Sequence, residues 1–198
     1  MLCLSSHLLI ARARGLVGRG LVSDERPEPT GPGHDAGPVP ESSGERPPWD
    51  LSFVQHCGYW AHCDAQTGES AWPIPAGLTR EGLAAFGEER GILYATPDVG
   101  DIFLQYGRSR KAFVHVGIVM RVLGSGQFCP KTPYFDLYTV EGDTGPNGRL
   151  HGGQTLRVRR RLNPGAGDRF LSWMELEPYA RQLAASLPRI AAPLRKCA

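Results

Sequence analysis

The long apolar segment KAFVHVGIVMRVL, residues 111–123, constrains the fold of this chain more than any other stretch of its sequence. The segment is rich in β-branched residues, which favour extended backbone. If it is extended, both of its faces are apolar, except at His115 and at its ends. A run of this kind is typical of a strand with both faces buried. The segment therefore predicts a central strand of a β-sheet.

Segments with helical periodicity precede this strand, and strand-like segments follow it. Helices are predicted over residues 5–19, over residues 50–62, and from the N-cap Thr79 to about Arg90. Further strands are predicted over residues 100–106, 135–144, 155–162 and 169–176, before a terminal helix over 177–187. This order indicates an α+β fold in which N-terminal helices pack on an antiparallel sheet of about five strands.

Four segments are expected along the chain. Residues 1–22 contain the first helix, and residues 48–176 form the main domain. Residues 23–47 are rich in proline, glycine, serine and acidic residues, with few apolar side chains whose burial could offset the entropy of ordering. They are therefore predicted to be a loop or a flexible arm. Residues 177–198 form the C-terminal helix and a tail.

The composition of the chain limits its class of partner. The 198 residues are 41% hydrophobic and 21% charged, as in an ordinary soluble globular protein. A net charge of +2 is too small to indicate nucleic acid, and no apolar run is long enough for a membrane span. The five scattered cysteines do not suggest a disulfide framework. A cytoplasmic location is therefore favoured, with export as the alternative if the true N-terminus is missing.

Three positions combine polar side chains in a way that suggests a reactive site. His115 shares a strand face with Gly117, which would leave a gap beside the ring. Glu141 and Asp143 are two residues apart on the next strand, so either could orient the imidazole. Asp50 begins a helix, as an N-cap whose oxygen accepts free N–H groups. The positive end of the helix dipole would stabilise a negative charge on Asp50.

These segments resemble the CHAP family of cysteine- and histidine-dependent amidohydrolases and peptidases, and the related NlpC-type cell-wall peptidases. The matching segments are PWDLSFV (48–54), GDIFLQ (100–105), HVGIVMRV (115–122) and VEGDTG (140–145). The resemblance implies a papain-like α+β fold and, for many members, cleavage of amide bonds in peptidoglycan. It also implies that His115 is the general base, that Glu141 orients it, and that Asp143 falls where an asparagine is frequent.

The chain departs from this family at the nucleophile. Asp50 stands where the resemblance places the catalytic cysteine. An aspartate there keeps an anion beside His115 but not the reactivity of a thiolate, because carboxylate attack on an amide would have to expel a poor leaving group. The substitution therefore predicts a preserved scaffold with altered or lost chemistry.

Other residues could supply the missing chemistry. Cys57 lies two helical turns beyond Asp50, where a buried thiol is expected, and Ser52 points elsewhere. A divalent metal at Asp50, His115 and Glu141 or Asp143 is an alternative to a static hydrogen-bond network, which is preferred. No cofactor is expected.

Three sets of side chains have a less specific pattern. His56, Cys57, His62 and Cys63 could suggest zinc, but their spacing does not put them on one helix face. The aromatic residues are expected in the core rather than along a substrate groove: Tyr59, Trp60 and Trp72. The arginines of one strand are expected to be solvated rather than to grip an anionic partner: Arg157, Arg159, Arg160 and Arg161.

The leading functional hypothesis is a CHAP-like domain without thiol catalysis. Such a domain would hold a peptide, a peptidoglycan fragment or a protein partner in its cleft, with no nucleic acid as partner. The alternative is an active amide hydrolase of cell-wall or peptide substrates that uses a group other than cysteine, or a metal, at Asp50 and His115.

Overall fold

The computed structural model describes residues 10–11, 13–17, 49–61, 72–127, 133–145, 154–176 and 178–179. The helices are α1 (Asp50–Ala61), α2 (Arg80–Glu89) and a short 3-10 helix (Pro164–Ala166). The strands are β1 (Leu93–Tyr94), β2 (Ile102–Gly107), β3 (Ala112–Gln127), β4 (Pro133–Thr144), β5 (Gln154–Leu162) and β6 (Arg169–Leu171). Shorter helical stretches occur at residues 10–11, 13–15, 173–176 and 178–179.

The strands form one antiparallel sheet in the order β1-β6-β2-β3-β4-β5. Strand β3 lies between β2 and β4, which confirms the predicted central strand. The α+β class is also confirmed, but the described residues form six strands rather than about five. The additional strand is β1, whose two residues pair with β6. Two residues are too few to produce a periodic pattern in the sequence.

The predicted boundaries hold for most elements and fail at one. Thr79 is the N-cap of α2, since its side chain accepts the N–H of Gly82. The strand predicted over 169–176 ends at Leu171, and residues 173–176 are helical instead. Asp101 Oδ1 accepts the N–H of Trp173 at the start of that turn. The arm predicted over residues 23–47 lies outside the described residues, as does most of the terminal helix predicted over 177–187.

The sheet curls on itself so that one face is concave. Phe135 of β4 and Phe170 of β6 meet edge to face with their ring centroids 6.2 Å apart. Two strands, β2 and β3, separate β4 from β6 in the sheet order, so only a strongly curved sheet brings these rings together. A small apolar core fills the concave face: Phe103, Val119, Leu137, Leu162 and Phe170.

A larger core lies between the convex face and the helices. Phe53 and Val54 of α1 and Leu83 of α2 are buried there. They pack with sheet residues such as Ile118 and with a stacked pair of indoles, Trp72 and Trp173. Helix α1 packs on β3 and β4, so its first residue lies beside the polar part of those strands.

We expect Gly58→Ala to lower the free energy of unfolding by about 1–3 kcal/mol, because it overpacks the core. A Cβ at Gly58 would lie 2.2 Å from atoms of the buried Trp72 ring. Urea denaturation followed by fluorescence measures the effect.

Gly82→Ala in α2 is the matched control. Its Cβ would be 3.4 Å from the nearest atom, an ordinary contact. Alanine favours a helix over glycine by about 1 kcal/mol, so this variant should keep or gain stability. Equal unfolding free energies for the two variants would contradict the close packing of Trp72 on α1.

Candidate functional site

Asp50 is the first residue of α1, and it is 1% exposed. The carbonyl of Trp49 accepts the N–H of Phe53 at 2.8 Å, so Trp49, and not Asp50, stands at the N-cap position of α1. Within the first turn, the Asp50 side chain accepts only the N–H of Leu51, at 2.9 Å. The expected N-cap role of Asp50 is therefore wrong, although its negative charge still lies at the favourable end of the helix dipole.

The two oxygens of Asp50 are saturated with donors. Arg80 donates from Nη2 to Oδ1 at 2.7 Å and from Nε to Oδ2 at 3.0 Å. His115 Nδ1 lies 3.0 Å from Oδ2. The N–H groups of Leu51 and Val116 donate to Oδ1 and Oδ2 at 2.9 and 3.0 Å. A carboxylate has about four lone-pair sites, so these contacts leave no oxygen lone pair for another bond.

His115 is held between two carboxylates and is 2% exposed. Its Nδ1 is 3.0 Å from Asp50 Oδ2, and its Nε2 is 2.9 Å from Glu141 Oε2. A neutral imidazole has one N–H, whereas two carboxylate acceptors require two, so this arrangement favours the imidazolium. Burial opposes this charge, but the hydrogen bonds to Asp50 and Glu141 outweigh it and raise the pKa of His115 above 6.5.

Glu141 is bound as completely as Asp50. Arg160 donates to both oxygens, from Nε to Oε1 at 2.8 Å and from Nη2 to Oε2 at 2.5 Å. Thr139 Oγ1 donates to Oε1 at 2.5 Å, and Thr144 Oγ1 donates to Oε2 at 3.3 Å. Burial would raise the pKa of Glu141, but hydrogen bonds from Arg160 and His115 lower it to about 2.

Together these residues form a continuous ionic chain, in the order Arg80, Asp50, His115, Glu141 and Arg160. Three cations alternate with two anions, so the ionic chain carries one net positive charge. Burial would raise the pKa of Asp50, but hydrogen bonds from His115 and Arg80 lower it to about 2. Both carboxylates are therefore ionised at neutral pH, as paired buried charges are.

A bulge in β4 decides which acid reaches His115. The pairing of β4 with β5 passes from Glu141 opposite Leu156 to Thr144 opposite Gln154, which leaves one extra residue on β4. Asp143 lies in this bulge with φ 53°. The simple alternation that would place Asp143 with Glu141 is thus broken. Glu141 is the carboxylate on Nε2, and the hydroxyl of Thr144 lies 3.4 Å from the same nitrogen.

Gly117 makes room for a protein side chain rather than for a substrate. A Cβ at Gly117 would lie 2.7 Å from Phe103 Cε1, 2.8 Å from Glu141 Cγ and 2.9 Å from the carbonyl oxygen of Val140. Glu141 and Phe103 therefore fill the gap that was expected beside His115. The glycine is required because Glu141 must cross this part of β3 to reach the imidazole.

Sequence reasoning missed four members of the site. Arg80, Thr139 and Thr144 carried no recognised signal. Arg160 was assigned to a solvated run, yet its side chain is 13% exposed and bonded to Glu141. A signal was present, because alternation along β5 places Arg160 on the same face as Leu156 and Val158. A charged residue on an apolar face needs a buried partner.

The side chains considered as alternative reactive groups lie outside the ionic chain. Cys57 is 0% exposed within the large core, and Ser52 is exposed. His62 and Cys63 of the suggested zinc set lie outside the described residues. Trp72 belongs to the core as expected, but Trp60 does not, since it is 49% exposed. Trp60 and the half-buried Tyr59 meet edge to face on α1.

Comparison of the chain with models of protein families, with curated proteins and with solved structures found no match. Within the described residues, no group of three or more His, Cys, Asp or Glu residues is arranged to hold a metal ion. In the same part of the chain, no helix has the length and apolar character needed to cross a bilayer. The functional interpretation therefore rests on the geometry of the ionic chain.

We expect both ring nitrogens of His115 to carry protons at pH 6.5, where an ordinary histidine is half protonated. Nitrogen-15 NMR of the ring distinguishes the imidazolium from either neutral tautomer, with His115→Gln used to assign the signals. A neutral ring at pH 6.5 would contradict the two-carboxylate arrangement.

The raised pKa of His115 makes the free energy of unfolding depend on pH. A histidine with a raised folded pKa stabilises fully below pH 6.5, and its contribution is lost as pH rises through the folded value. The difference in unfolding free energy between the native protein and His115→Gln should therefore shrink on the alkaline side. The comparison isolates His115 from Asp101, whose pKa is raised to about 7 by burial.

We expect Arg80→Gln to lower the free energy of unfolding by about 3–5 kcal/mol, because it leaves Asp50 short of a partner for a buried charge. Asp50 is 1% exposed and Arg80 is 17% exposed. Arg161→Gln is the matched control, since Arg161 forms the same two-bond contact with Asp136 while 48% exposed. The control should cost less than about 1 kcal/mol. Equal losses in urea denaturation would show that burial does not set the strength of the Asp50 pair.

Proposed function

We propose that this chain is a CHAP-like domain with a papain-like scaffold that binds a peptide or a peptidoglycan fragment without cleaving it. The observation that carries the proposal is the saturation of the ionic chain. Both oxygens of Asp50 and both ring nitrogens of His115 are occupied by internal partners. The residues at the positions of a nucleophile and a base thus form internal ionic contacts that stabilise the fold.

Loss of catalysis follows from the protonation states of the two groups. A general base must have a free lone pair near the proton that it removes. The imidazolium of His115 has none, and Asp50, with a pKa of about 2, is a very weak base. The reacting positions are also closed to substrate, since Asp50, His115 and Glu141 are each 2% exposed or less.

The spatial order of these groups supports the CHAP-like scaffold. An anionic group begins a helix, an imidazole lies on the central strand, and a carboxylate on the next strand contacts the far ring nitrogen. A thiolate and imidazolium pair would have the same charges in the same places. Aspartate thus preserves the electrostatic balance of a cysteine site while it removes the nucleophile.

The charge of the ionic chain favours a ligand with a free carboxylate. The ionic chain carries one net positive charge, and the side chain of Arg80 at one of its ends is 17% exposed. Stem peptides of peptidoglycan and ordinary peptide C-termini both carry carboxylates, so they fit this charge. Electrostatic attraction of this kind would weaken as salt is added.

We expect the native protein to release no new amino groups from purified peptidoglycan, with or without added Zn²⁺ or Mg²⁺. In the same samples the protein should sediment with the insoluble peptidoglycan. Ser52→Ala, on the exposed side of α1, is the control and should behave as the native protein does.

Amino-group release that disappears in both Asp50→Ala and His115→Ala, but not in Ser52→Ala, would overturn the proposal. It would favour an amide hydrolase that uses a carboxylate or a metal. Circular dichroism of each variant checks that it is folded, because removal of one partner from the ionic chain destabilises the domain.

A further inference from the structure

Strand β5 is the last strand of the sheet, so one of its edges has no strand partner in the sheet that the structure describes. It spans nine residues, Gln154–Leu162, eight of which pair with residues of β4 on the other edge. The open edge of a strand presents backbone N–H and C=O groups to which an extended peptide can add as a further strand. The edge of β5 is therefore a surface suited to a chain in the extended conformation.

Three arginines alternate along one face of this strand. Arg157, Arg159 and Arg161 are exposed, and the side chain of Arg159 is 64% exposed. Among the described residues, Asp136 contacts two of them: it accepts two hydrogen bonds of 2.9 Å from Arg161 and lies 3.8 Å from Arg159. Among the described residues of this face, the three arginines face one carboxylate, so this part of the surface is cationic.

Aromatic rings of β4 hold two of the arginines in place. The guanidinium of Arg157 lies 4.5 Å from the ring centroid of Tyr138, and that of Arg161 lies 4.3 Å from the ring centroid of Tyr134. Cation–π contacts of this kind restrict the side chain before it binds, so it loses less conformational entropy on binding. The guanidinium groups are therefore ordered before any partner arrives.

We propose that the open edge of β5 binds an extended acidic peptide as a seventh strand, with acids at alternate positions contacting Arg157, Arg159 and Arg161. Side chains on one face of a strand repeat every two residues, about 6.6–6.8 Å. Acids at that spacing match the arginines, while the peptide backbone bonds to β5. This surface is separate from the ionic chain and does not depend on the function proposed above.

Charge opposes the pairing of two copies of β5 in the symmetric register about Val158. If two β5 strands paired antiparallel about Val158, Arg157 of one copy would lie opposite Arg159 of the other. Like charges directly opposite each other across a strand pair are destabilising. Charged side chains on an edge strand also guard against edge-to-edge aggregation, and a test must separate that role from binding.

Fluorescence anisotropy with a dye-labelled nonapeptide tests the proposal. In this probe, glutamate alternates with threonine or valine. Arg159→Glu should weaken binding about tenfold, because a cross-strand attraction becomes a repulsion of similar size. Arg110→Glu, an exposed residue of the β2–β3 turn, is the control with the same change in net charge and should leave binding within about twofold of the native value.

Two further probes decide between strand addition and general attraction of anions. A nonapeptide N-methylated on alternate residues cannot donate backbone bonds to β5 and should bind at least tenfold more weakly. Equal binding of the methylated peptide, or tighter binding of a nine-nucleotide oligothymidylate, would overturn the proposal in favour of a general polyanion surface. No binding of the acidic nonapeptide at 1 mM would overturn it in favour of a purely protective role for the arginines.

Discussion

The alternation of charges from Arg80 through Asp50, His115 and Glu141 to Arg160 is the interaction on which the rest of the structure depends. Each residue comes from a different element, in the order α2, α1, β3, β4 and β5. The ionic chain therefore fixes the positions of two helices and three strands relative to one another. Buried charges are stable only when each has a partner, so removal of one member leaves another charge uncompensated and destabilises the domain.

Local backbone features make the ionic chain possible. Gly117 leaves space for Glu141 above β3, and Gly142 lets α1 approach β4 closely, since a Cβ there would be 2.4 Å from Phe53 Cβ. The bulge after Glu141 turns Thr144 toward His115. These features are of the kind that an active site also requires, and here they position charges that neutralise each other.

The function proposed for the domain follows from the same saturation. A thiolate in place of Asp50 would present a nucleophile beside an imidazolium, whereas the carboxylate accepts bonds from Arg80, His115 and two backbone N–H groups. The oxygen atoms of Asp50 that stabilise the fold are therefore not free to take part in catalysis. Binding at other surfaces is not limited in this way, and Arg157, Arg159 and Arg161 lie on the outward face of β5 because side chains alternate along a strand.

Sequence alone determined the α+β class, the central strand and the helix capped by Thr79. Those properties depend on residue types at short spacings, which hydrophobic periodicity and turn chemistry record. Tertiary structure alone decided that Arg80 and Arg160 complete the site and that Glu141, rather than Asp143, contacts His115. Arg80 is 30 residues from Asp50, and the choice of acid depends on a bulge. Long-range pairing and strand register arise from packing across the whole sheet, which no short segment of the sequence encodes.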